Sequence, residues 1–84
     1  MDGREKLNEK SREIREKYAD IINDLCVKYD KTVDVGFEML KAIARAKILN
    51  QEPEYTTNIE FDINELVGDY VAYAELAEEV FYNK

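Results

Sequence analysis

Two carboxylate pairs are the candidates for a reactive or ligand-binding site: Glu65 with Asp69, and Glu75 with Glu79, each pair four positions apart on one predicted helix. Side chains at that spacing share a helix face, so each pair sets two carboxylates side by side. Two such groups can hold a hard divalent cation such as magnesium through oxygen ligands. Any acidic amphipathic helix also produces such pairs by chance, and Glu65 has a competing use in a helix cap. The chain has no histidine, which excludes histidine-dependent zinc sites, imidazole general bases and serine–histidine triads. It carries no glycine-rich phosphate-binding motif. The lone Cys26 cannot form an internal disulfide and lies in an apolar run, as a small buried side chain in a reducing compartment would.

Charge is unevenly placed. Residues 1–32 hold eight acidic and eight basic residues, 33–50 two and three, and 51–84 nine and one, so the formal charge of −7 belongs to the C-terminal third. A field of that sign attracts basic surfaces and repels phosphates, which disfavours direct DNA or RNA binding. Glu75, Glu78 and Glu79 form the candidate partner-binding acidic face. They stand at the end of a helix, where negative charge opposes the helix dipole. The plainer reading of these charges is a solubilising surface.

The elements that must position these residues are helices. In the last of them, expected over about 63–82, Asp62 is a competent N-cap and Glu65 can close a capping box, while Phe61 and Leu66 stand where a hydrophobic staple has its two residues. Leu66, Val67, Tyr70, Ala74, Ala77, Val80 and Phe81 then recur on one face. At the other end of the chain, residues 1–5 read as a short polar lead, with Gly3 outside any helix. One long helix is expected over about 5–29, where Leu7, Ser11, Ile14, Tyr18, Ile21, Leu25 and Lys28 follow alternating steps of four and three. Ile22, Cys26 and Tyr29 broaden its stripe towards the end. Asp30 or Thr32 caps a second, central helix over about 33–50, apolar around most of its circumference and closed by Asn50 and Pro53.

Between the second and third helices Tyr55, Thr57, Ile59 and Phe61 alternate at strand spacing, yet no second strand signal exists to pair with them. An extended crossover laying Tyr55, Ile59 and Phe61 on the bundle is expected, a strand completed by another subunit being the alternative. At 84 residues the chain fits one domain, with roughly 5,200 Å² exposed when folded against roughly 14,200 Å² extended. No apolar run approaches the length of a membrane span and no export signal is present, so a cytoplasmic protein is expected.

The segments Ala46–Pro53 and Glu65–Val80 resemble the C-terminal half of small phage-type helical proteins related to the MazG-like nucleotide pyrophosphohydrolases. The likeness lies in Ile48-Leu49-Asn50 before a loop with Pro53, then Glu65, Asp69 and Tyr73-Ala74 at successive steps of four. It implies an all-helical, usually oligomeric architecture in which acidic residues from two helices gather magnesium against a nucleoside triphosphate. Those enzymes carry a glutamate-rich motif on the preceding helix, whereas here Glu38 is the only carboxylate between Val35 and Asn50. Glu38, Glu65 and Asp69 are the metal ligands of that alternative, a sparse set unless subunits combine them.

The expected architecture is thus an all-α, three-helix domain spanning 1–84, with a long extended crossover between helices two and three. Its core should include Ile14, Tyr18, Ile21, Leu25, Phe37, Leu40, Ala44, Ile48, Leu66, Tyr70, Ala74, Ala77 and Phe81. The leading functional expectation is a small, acidic, non-enzymatic interaction module, a phage-encoded inhibitor docking on a basic protein surface. The alternative is magnesium-dependent nucleotide binding or pyrophosphohydrolysis. A homodimer is expected because three helices bury only inward faces, with contact mainly through helices one and two, whose residues 1–50 carry a charge of +1.

Overall fold

A computed structural model describes residues 3–82. It holds four helices, not three: α1 (Gly3–Lys17), α2 (Ala19–Tyr29), α3 (Val33–Ile48) and α4 (Ile63–Tyr82). The expected single helix over 5–29 is divided at Tyr18, which leaves helical geometry at φ −109 and ψ 24. Backbone hydrogen bonds still cross the break, from the Tyr18 amide to the Ile14 carbonyl and from the Ile22 amide to the Tyr18 carbonyl. Its cause lies in packing. α1 has a narrow apolar edge, Leu7 and Ile14, that is buried where α1 packs on α4; α2 has a broad face, Ile21, Ile22 and Leu25, that is buried where it packs on α3. The two faces have different partners, and a change of direction between them serves both. The helix also starts earlier than expected, at Gly3, where an added Cβ would stand 3.2 Å from Val80 Cγ2.

Neighbouring helices run antiparallel. Gly3 lies by Val80 and Lys17 by Glu65, which opposes α1 and α4. Phe37 lies by Tyr73 and Arg45 by Tyr70, which opposes α3 and α4. α2 and α3 form a tight hairpin. Asp30 ends α2 in the left-handed region at φ 54, and Thr32 Oγ1 accepts the Val35 amide at the start of α3. The two helices approach so closely that a Cβ on Gly36 would stand 2.5 Å from Cys26 Sγ and 3.1 Å from the Ile22 carbonyl. α3 closes with Asn50 at φ 55, and the amides of Asn50 and Gln51 return to the carbonyls of Lys47 and Ala46. That pairing is a Schellman motif, which satisfies carbonyls the helix leaves free.

No strand forms among the described residues. Within the stretch 49–62, residues 55–58 run along α2, whose side chains take up their polar groups. Lys28 Nζ donates to the carbonyl and hydroxyl oxygens of Thr56, the Thr56 amide donates to the Tyr29 hydroxyl, and the Thr57 hydroxyl donates to Asp24 at 2.6 Å. Tyr55 meets Tyr29 edge to face at 5.3 Å, and Tyr55, Ile59 and Phe61 pack against the core. Side chains therefore supply partners that a second strand would otherwise provide.

The core gathers Phe37, Leu25, Leu40 and Leu66 at its centre. Five residues expected there are not buried in it: Ile48 is 48% exposed and Phe81 52%, and Tyr70, Ala74 and Ala77 are half-buried. Ile48 sits in the last turn of α3. Phe81 is displaced by the rotation of α4. That helix turns Asp69 to Tyr18 of the α1–α2 junction and Tyr73 to Phe37 of α3, which leaves Tyr70, Ala74 and Ala77 only half-buried. The surplus apolar groups foreseen on the first helix are used internally, with Leu7 8% and Ile14 4% exposed.

Candidate functional site

Glu65 and Asp69 lie one turn apart near the start of α4, against the end of α1. Asp62 caps this helix as its side-chain oxygen accepts the amides of Asn64 and Glu65. Glu65 does not close a capping box; its carboxylate meets Lys17 Nζ at 2.6 Å. The same ammonium reaches Asp69 at 2.9 Å, the Tyr18 hydroxyl donates to Asp69 at 2.7 Å, and Lys10 stands at 4.0 Å. Burial pushes the Asp69 carboxyl up, but the hydrogen bonds from Tyr18 and Lys17 and the nearby positive charge outweigh it and hold the group below its ordinary value. Lys17 is raised by its bonds to Glu65 and Asp69. Tyr18 is raised by burial, then by its bond to Asp69. The cluster is a charge-compensated joint between α1 and α4.

Glu38 is exposed on α3 and pairs with Lys41 at 2.7 Å. The structure thus brings Glu65 and Asp69 together around Lys17 and gives Glu38 a different partner. Among the described residues, no group of three or more histidine, cysteine, aspartate or glutamate side chains stands where it could hold a metal ion.

The second half of α4 is built differently. Glu75, Glu78 and Glu79 are exposed, and none makes an ion pair with a described residue. Beside them an open groove of about 590 Å³ runs between α3 and α4. Its floor is Tyr70, Ala74, Ala77 and Phe81; Lys41 and Arg45 of α3 form one edge, and Glu78 lies on the α4 side. The cations rest on aromatic faces, Lys41 at 4.7 Å from the Phe37 ring centre and 5.3 Å from that of Tyr73, and Arg45 at 5.9 Å from that of Tyr70. Such contacts hold long side chains in place; Lys41 is also paired with Glu38, while Arg45 has no ion-pair partner among the described residues.

No family model, curated protein or solved structure matches the chain. The likeness to MazG-related proteins rests on the residues quoted for it. No helix among the described residues is long and apolar enough to cross a membrane.

The groove and the joint were both missed by reading along the chain. Lys41 and Arg45, four apart, signal one charged edge on α3, but nothing in their spacing says that Tyr70 and Tyr73 lie beneath them. Lys17 and Tyr18 carry no sign that they bind a residue on the last helix.

Proposed function

We propose that the chain is a small, non-enzymatic protein-interaction module that works in the cytoplasm, its acidic α4 docking on a basic protein surface. The observation that carries this reading is the contrast between two sets of carboxylates on one helix. Glu65 and Asp69 serve the fold through Lys17 and Tyr18. Glu75, Glu78 and Glu79 have no ion-pair partner among the described residues, and Glu79 stands in the last turn of α4, where the dipole disfavours it. An outside partner with positive charge supplies what the fold does not. A phage-encoded inhibitor that covers the nucleic-acid site of a basic host protein fits this chemistry, because such sites are positive and this surface mimics their polyanion. The magnesium–nucleotide reading ranks behind it, since it requires Lys17 to leave Glu65 and Asp69 and a third oxygen ligand to arrive.

The test is affinity capture on the immobilised chain from a bacterial lysate, beside the variant Glu75→Gln/Glu78→Gln/Glu79→Gln. The wild-type chain should retain a basic protein that moderate salt releases and that the variant does not retain. An identical captured set for both chains contradicts the acidic-face reading.

A further inference from the structure

The groove between α3 and α4 leaves an apolar stripe uncovered. Tyr70, Ala74, Ala77 and Phe81 recur at helical spacing along its floor, and Phe81 is half exposed at its end.

Charge on the edges identifies the occupant. The α3 edge is positive through Arg45, Lys41 being already paired with Glu38, and the α4 side carries Glu78. Neither Arg45 nor Glu78 has an ion-pair partner among the described residues. In a two-fold contact, residue i of one copy meets residue j of the other and the reverse, so a surface with one edge of each sign complements itself. We propose that the groove is a self-association surface: a second copy of this chain seats its α4 there, so that Glu78 of each copy meets Arg45 of the other. Ala74 and Ala77 are small enough for two helix axes to approach at about 8–10 Å. A basic helix from another protein fits the floor but meets Arg45, which repels it. A free anion meets Glu78 and the net charge of −7.

This assignment moves the dimer contact from the first two helices to α3 and α4. It shares Glu78 with the docking face of α4, whereas Glu75 and Glu79 do not line the groove and stay free for a basic partner. Two copies joined there display two acidic ridges, which favours a partner with two basic sites through effective concentration.

Sedimentation velocity on the full chain, over a dilution series at physiological salt, tests the proposal. At that salt the Debye length is about 8 Å, so repulsion between the two negative chains is largely screened. The expected result is a two-chain mass at high micromolar concentration that falls to one chain on dilution. Phe81→Glu, at a half-exposed position, should give a one-chain mass with unchanged circular dichroism. Arg45→Glu and Glu78→Arg should each weaken association about tenfold or more, and combining them should recover most of the loss. A one-chain mass throughout the wild-type series overturns the proposal. So does a dimer whose dissociation constant ignores both Phe81→Glu and Arg45→Glu, or a double charge reversal no tighter than the weaker single variant.

Discussion

Asp69 shows how one side chain on α4 determines which way the helix faces. Its carboxylate accepts the Tyr18 hydroxyl and meets Lys17, so the α1–α2 junction and α4 are tied at one point. A hydrogen bond to a charged group contributes about 1.5–3 kcal/mol, reduced here because Lys17 is well exposed and screened. Tyr18→Phe should therefore lower stability by about 1–2 kcal/mol in urea unfolding at neutral pH. The acid limb gives a second readout. Asp69 has a folded pKa below its ordinary 3.8, so its contribution is present above that value and is lost as pH falls through the folded one. The gap between wild type and Asp69→Asn should accordingly narrow when unfolding is repeated at pH about 2.5. A gap of constant size across that range would show that the Asp69 charge does not hold the joint.

Among the elements, the α2–α3 hairpin is the tightest contact, and Gly36 allows it. Alanine there improves helix propensity by about 1 kcal/mol. Its Cβ, however, would lie 2.5 Å from Cys26 Sγ and 3.1 Å from a backbone carbonyl that cannot turn aside. Overpacking of this kind costs about 1–3 kcal/mol, so Gly36→Ala should be destabilising despite its propensity. Cys26→Ala should recover part of the loss, since it removes the nearer obstacle. Thermal unfolding of the two single variants and the double variant checks this; an unchanged or raised Tm for Gly36→Ala would mean the helices are further apart.

Helix ends were legible in the sequence because they depend on neighbours along the chain. Thr32, Asp62 and Asn50 were readable as caps or stops for that reason, and each acts as one. The break at Tyr18 was not legible, since no glycine or proline marks it and hydrogen bonds run through it. The phase of α4 was hidden for another reason. Apolar residues cover so much of its circumference that several rotations bury similar area, and the choice falls to Tyr18 with Asp69 and Phe37 with Tyr73, which are distant in sequence. The carboxylates of the candidate sites were visible as residues, but their cationic partners were not. Lys17 reaches Glu65 and Asp69 from the first helix, and Lys41 occupies Glu38.

For the whole molecule, charge and burial divide α4 in two. Its first half is bound into the fold, while its second half presents carboxylates with no ion-pair partner among the described residues beside an uncovered apolar groove. If that second half is a docking surface, Glu79 in its last turn is held against the helix dipole, which opposes a terminal carboxylate by about 0.3–1 kcal/mol. Neutralising Glu75, Glu78 and Glu79 should then stabilise the free chain while weakening its binding. The most direct measurement follows the captured basic partner by calorimetric titration over a salt series, for the wild type and for Glu75→Gln/Glu78→Gln/Glu79→Gln, with Tm recorded on the same samples. The account predicts affinity that falls steeply with salt for the wild type, a shallower slope and weaker binding for the variant, and a variant Tm at or above that of the wild type. Equal affinities and equal salt slopes for the two chains would contradict it.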